Sequence, residues 1–212
     1  MTNHRSSATK VATTARRRQQ PAPPGAARNL GNVRVDVVGL VNETAEQLEN
    51  LPPDTSPQAA LCHAHSGIAA LNLGVVVMSG NVDQSRLDEF TAATVLAHEA
   101  HEEITEVVDD DLFGELLDMR VIELLDQAEQ LRRMRVSVRW LRTAMARAAE
   151  ATHSVLAGLA TSDDPPSDIR AAAETTAALV ADMRMLIDGP ARERAALAEL
   201  IKRQAVIIKV DE

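Results

Sequence analysis

The chain has 212 residues, of which 45% are apolar, 25% charged and 1% aromatic, with a net charge of −9. That apolar share supports a core and excludes wholesale disorder. The scarcity of aromatics (Phe90, Phe113 and Trp140 only) with abundant alanine, leucine and arginine weighs against a β-sandwich or barrel and favours helices.

Residues 1–32 read as a disordered basic arm ahead of a helical domain at 33–212. Ser, Thr, Ala, Pro, Gln and Arg fill the arm without an apolar period, and the run from Pro21 to Gly25 separates it from the body. Residues 1–35 hold seven Lys or Arg and no acid, which leaves 15 basic and 31 acidic residues elsewhere, a net of −16. On average such a body repels nucleic acid and anionic membranes. The arm, centred on Arg16, Arg17 and Arg18, suits an anionic partner: nucleic acid, an acidic protein or the acidic surface of another copy. As a plain solubilising tail it needs no partner. No apolar run follows the arginines, so the arm does not read as a secretory signal, and a cytoplasmic location is expected. In a eukaryotic source the same composition would suit a transit peptide and an organellar matrix.

In the body, Val33, Val37, Val41, Ala45, Leu48 and Leu51 share one helix face, although the opening at 33–41 also suits a strand; Pro52-Pro53 ends the element. Ser56-Pro57 is an N-cap followed by proline at the first helical position. Gln58 to Ser79 is apolar on every side and kept slim by Gly67, Gly74 and alanines, which predicts a central buried helix. Its length suits a bilayer, but His63, His65, Ser66 and Asn72 weigh against a membrane span. Val75, Val76 and Val77 leave a short strand at 73–79 as the second reading.

Asp83 is placed to cap the next helix, whose stripe is Leu87, Phe90, Thr94, Ala97, His101, Ile104 and Val108. Asp109-Asp110-Asp111 interrupts it, with Asp110 or Asp111 as the next cap. From Leu112 to about Ala160 there is no proline. Leu117, Val121, Leu124, Ala128, Leu131, Val138, Leu141, Met145 and Leu156 there predict one very long helix or two collinear ones, with a coiled-coil-like seam. Thr161 to Pro166 is a loop. Ser167 or Asp168 caps a helix striped by Ile169, Ala172, Thr176, Leu179, Met183 and Leu186. Gly189-Pro190 then stops it and seeds a last helix through Leu197, Leu200 and Ile201. The β-branched end at 205–210 is frayed helix or strand. The expected fold is all-α: an elongated bundle of five or six helices around a long central helix.

Chemistry is thinly signalled. His98-Glu-Ala-His101-Glu102-Glu103 resembles a zinc signature, but the histidines are three apart where four are needed. A di-iron bundle needs Glu-x-x-His twice, and only Glu150 to His153 supplies it. His98, His101 and Glu102 still share a helix face, so they form a candidate metal site that His63 or His65 could join. The plainer reading packs His101 in its stripe with His98 at the edge. Eleven acids and no Lys or Arg lie between Arg86 and Arg120, most of them off the stripe. Asp109 to Asp111 lack a calcium-loop pattern.

Arg132, Arg135, Arg139 and Arg142, spaced at three, four and three, predict one arginine ridge flanked by Arg133 and Arg147. Such a ridge suits phosphates or carboxylates, whereas a lone Trp140 gives base stacking little support. A hairpin turning at Asp109 to Asp111 would bring the ridge near residues 78–88, away from the densest acids, leaving part of both clusters for a partner. Cys62 is the only cysteine, which excludes an internal disulfide and a Cys-based zinc site. It also points away from His63 on a helix. No serine elbow, P-loop or dinucleotide fingerprint is present. No catalytic residue or cofactor is assigned. The first expectation is a non-enzymatic helical interaction or assembly protein forming a homo-oligomer through long amphipathic helices with charge-segregated faces. A nucleic-acid-associated protein using arm and ridge comes second. A metal-binding bundle, open to oxidoreductase chemistry, comes third.

Overall fold

The computed structural model describes residues 35–116 and 119–208. The arm with Arg16, Arg17 and Arg18 lies outside the described residues, as do 209–210. Among the described residues the chain is all-helical. Nine α-helices run α1 (Val37–Glu49), α2 (Pro57–Ser79), α3 (Leu87–Thr105), α4 (Asp110–Leu116), α5 (Met119–Leu125), α6 (Ala128–Arg132), α7 (Val138–Thr161), α8 (Ser167–Asp188) and α9 (Ala191–Ile208). A single 3₁₀ turn, Gln84–Arg86, precedes α3. From Val37 onward the ambiguous start is helix, and 73–79 completes α2.

The middle of the bundle is α2, with α1, α3 and α7 packed around it. Ser56 Oγ accepts from Ala59 N at 3.2 Å and Pro57 occupies the first turn. Seventeen of its residues are buried, from Ala60 to Met78, so this helix, long and apolar enough to cross a membrane, spends its surface inside the bundle. At Gly67 the approach of α7 is so close that a Cβ would overlap the Thr152 hydroxyl.

The stretch 112–160 departs from expectation. Instead of a long central helix it folds into α4, α5, α6 and α7, and the described body has nine α-helices where five or six were predicted. A straight helix over that stretch would run about 70 Å, twice the roughly 35 Å of α2, and its ends would find nothing to cover. Breaking it folds both halves back on the core. Val121 and Leu131 are buried beside α2, and Leu141, Met145 and Leu156 are buried where α7 meets α1, α2 and α8. Of the apolar stripe, Val121, Leu131, Leu141, Met145 and Leu156 are therefore buried within the chain, and Leu124, Ala128 and Val138 pack partly buried against its core.

The sharpest break, 133–137, is held by the turn after α2. Asn81 Nδ2 donates to Met134 O at 2.7 Å and to Val77 O at 2.8 Å, while its Oδ1 accepts from Val136 N at 3.5 Å. Gly80 lies flat under Arg132, whose carbonyl a Cβ there would overlap. Residues 132–136 thus dock beside residues 80–81, in line with the expected neighbourhood of the arginines. Ser137 then caps α7 by accepting from Trp140 N.

Other details differ by a residue or so. Asp109, not Asp110 or Asp111, caps α4, its Oδ1 accepting from Asp111 N at 2.9 Å. Asp83 opens the 3₁₀ turn without a side-chain cap bond, and α8 starts after Pro166, so Ser167 and Asp168 sit inside its first turn. The buried face of α3 is wider than its predicted stripe. Ala92, Ala93, Leu96 and Ala100 join Phe90, Ala97 and Ile104, because α3 lies between α2 and α8 and also meets α9. At the start of α3, buried Glu89 accepts from Arg86 Nε at 2.8 Å and Arg194 Nε at 2.9 Å. Arg86 also reaches the Leu186 and Ile187 carbonyls, and Arg194 the Gly189 carbonyl.

Candidate functional site

Two places in the fold concentrate chemistry. The first is a cleft of about 330 Å³ between α2, α3 and α5. Helix periodicity puts His65, Ile68, Ala69 and Asn72 of α2 on one wall, since positions three, four and seven apart share a face. Thr94, Ala97, His98 and His101 of α3 form the facing wall, and Ile122 and Leu125 of α5 close it. The α2–α3 hairpin sets the register that brings His65 Nε2 to 2.6 Å from His101 Nδ1. The Phe113 ring of α4 stands edge-on to His65, with centroids 4.7 Å apart.

His65 is 3% exposed. Burial, reinforced by the neighbouring His101 ring, pushes its pKa down to about 4. Burial likewise lowers the pKa of His101, helped by His98 and opposed by the carboxylate of Glu102. The pair is therefore neutral at pH 7, and one ring N–H is shared between two nitrogens. His65 Nδ1 and Asn72 Oδ1 are buried without a hydrogen-bond partner.

The predicted metal trio does not assemble. His101 turns to His65, while His98 Nε2 faces Glu102 Oε1 at 3.3 Å on the exposed side of α3. The His98 and His101 rings stay 6.5 Å apart. Among the described residues no three His, Cys, Asp or Glu side chains are grouped to hold a metal ion. His63 does not line the cleft, and Glu150 is ion-paired with Arg184 across to α8. Cys62 is fully buried, and burial raises its thiol pKa, which suits a packed, unreactive side chain.

The second place is the joint between α6 and α7. The single arginine ridge is broken here, because 133–137 is not helical and Arg132 and Arg135 leave the axis that carries Arg139 and Arg142. Arg132 pairs with Glu129 at 2.9 Å, Arg142 faces Asp188 at 3.6 Å, and Arg147 Nε binds Glu49 at 2.8 Å. Arg133, Arg135 and Arg139 are exposed and face no described carboxylate. Beside them Trp140, read from sequence only as a lone aromatic, is 49% exposed. Its place in the first turn of α7, just after the break, turns it outward. The pairing of His65 with His101 was open in the sequence only as one option among two histidines. The seven-residue step from His65 to Asn72 was the signal for a shared polar wall.

Comparison with protein-family models, curated proteins and solved structures gave no match to this chain.

Proposed function

We propose that this chain is a non-enzymatic helical interaction protein that assembles with further copies of itself through oppositely charged faces. The observation that carries the reading is the α6–α7 joint, where Arg133, Arg135 and Arg139 lack a described carboxylate and flank a half-exposed Trp140. Arginine and tryptophan are the residues most enriched at the centres of protein contacts. A complementary surface lies at the end of α3, where Glu99, Glu103 and, just past the helix, Glu106 have no basic partner among the described residues.

The joint sits at the Gly80 end of the α2–α3 hairpin and the acids at the opposite end, about 27 Å away along the helices. One chain cannot bring the two together, whereas two chains laid head to tail can. Two antiparallel copies make the contact twice about a two-fold axis and close a dimer, whereas repetition in one direction closes a ring or extends as a filament.

The test is solution mass by light scattering at tens of micromolar. A multiple of the chain mass at about 0.1 M salt, falling as salt rises, is expected, because screening weakens exposed charge pairs. Arg135→Glu with Arg139→Glu should give a monomer, and adding Glu103→Arg with Glu106→Arg should restore association. A strict monomer throughout rejects the reading. A heavy species that disappears on nuclease treatment assigns the arginines to nucleic acid instead.

A further inference from the structure

We infer that the cleft between α2, α3 and α5 is a binding site for a small, uncharged, largely apolar molecule carrying a carbonyl-type hydrogen-bond acceptor, held by His101 Nε2 and Asn72 Nδ2. This site is separate from the charged faces proposed for assembly.

The unpaired His65 Nδ1 decides which nitrogen carries the shared proton. If His101 Nδ1 donated to His65, neutral His65 would hold its own proton on Nδ1, an N–H buried with no acceptor. If His65 Nε2 donates, the unpaired Nδ1 is a bare acceptor. Orphaned buried N–H groups are rarer than under-satisfied acceptors, so the second arrangement holds. His101 then carries its proton on Nε2. That nitrogen has no protein partner and is not among the buried unpaired atoms, so it is open to the cleft it lines.

Asn72 adds a second donor. Its Oδ1 is turned into the protein and buried, while Nδ2 is unpaired yet accessible. The Thr94 hydroxyl donates to the Phe90 carbonyl at 3.1 Å, so its hydrogen is already used. Two free donors therefore line a space whose other walls are the apolar Ile68, Ala69, Ala97, Ile122 and Leu125, with Thr94 and with His98, whose Nε2 faces Glu102.

Ligand charge follows from the walls. No Lys, Arg, Asp or Glu lines the cleft, and the exposed His98 at its wall is already paired with Glu102. A carboxylate or ammonium would enter without a counter-charge, at a desolvation cost of several kcal/mol. A volume of about 330 Å³ lies at the small end of ligand cavities, enough for one ring with short substituents.

The test uses the full chain and three matched probes: acetophenone, ethylbenzene and benzoate. Binding is followed by thermal shift and by the His101 ring nitrogen resonances. Acetophenone should raise the melting temperature and move the His101 Nε2 signal. Ethylbenzene, lacking the acceptor, should bind about fivefold more weakly, the value of one neutral hydrogen bond. Benzoate should do neither. Ala69→Leu, which fills the cleft without touching a hydrogen bond, should abolish acetophenone binding, with circular dichroism confirming the fold. Millimolar acetophenone leaving the His101 signal still, benzoate binding as well as acetophenone, or unchanged binding in Ala69→Leu would each overturn the assignment.

Discussion

Arg194 Nε lies 2.9 Å from Glu89 Oε2, joining residues 105 positions apart, and the contact ties the first turn of α9 to the first turn of α3. The Glu89 side chain is only 8% exposed, so its charge depends on Arg194 and Arg86 together. Removing it leaves two mostly buried guanidinium groups with backbone carbonyls for partners but no counter-charge. Glu89→Ala should therefore cost about 3 kcal/mol, in the range for breaking a buried pair from one side. Arg194→Ala should cost less, because Arg86 still serves the carboxylate. Urea unfolding midpoints rank the two variants, and amide exchange should show α9 losing protection first in both.

The His65–His101 contact makes stability depend on acid. The folded-state pKa of His65 is about 4 against the usual 6.5, so between those values the unfolded chain binds more protons than the native one. Stability is then flat above pH 6.5 and falls as pH drops towards 4, by about 3 kcal/mol from this group alone. His101 adds in the same direction, with His98 opposing its charge and Glu102 favouring it. From α4 the group facing His65 is Phe113, which does not titrate. Urea midpoints at pH 7.5 and pH 5 should differ in the native chain, and the difference should shrink in His65→Gln. Equal midpoints at both pH values would contradict the buried neutral pair.

A methyl group at Gly67 should harm where a helix interior normally gains. Gly to Ala is worth up to about 1 kcal/mol in an exposed helix. Here the new Cβ meets the Thr152 hydroxyl and crowds Leu48, so Gly67→Ala should lose about 2 kcal/mol by overpacking. Thr152→Ala opens that space and surrenders only a bond to its own helix, at Ala148 O. In the double variant much of the loss should return, a coupling of at least about 1 kcal/mol in a double-mutant cycle. Simple additivity would mean that α2 and α7 do not touch there.

What the sequence disclosed depended on whether an element is specified locally. The chain carries the outline of α2 in itself, through Ser56-Pro57 at its start and apolar residues on every side, which only a buried helix tolerates. The break between α6 and α7 has only one local sign, the Ser137 cap. Residues 133–137 contain no proline or glycine, and the apolar period runs through them. The interruption is imposed from 53 residues away, by Asn81 on the Met134 carbonyl, and no periodicity records that bond. The same holds for the cleft. His65 and Asn72 announce a polar line on α2, and His63, two positions from His65, faces elsewhere; that His101 meets His65 follows from how the turn at 80–86 sets α3 against α2.

Asn81 can be tested directly. Asn81→Ala removes a side chain that satisfies Met134 O and Val136 N, and should cost about 2 kcal/mol. Gly80→Ala should cost as much, since its Cβ meets Arg132 backbone rather than a movable side chain. Amide exchange at 133–137 should quicken in both variants while α8 stays protected.

Because that bend is enforced from outside, the polypeptide has a second route open to it. If the Asn81 clamp is released, only the exposed Ser137 cap opposes straightening between Met134 and Ser137, and α6 and α7 can run on as one rod. The rod would carry α7, α8 and α9 away from their own α1 and α2 and deliver them to those of a neighbour, remaking every contact in trans. An exchanged pair of this kind is held by core burial, so it would withstand salt and interconvert as slowly as the protein unfolds. Asn81→Ala refolded at high concentration should accumulate it. The mark is a salt-resistant dimer that persists on dilution and returns to the lighter form only after unfolding, which no charge-driven assembly would do.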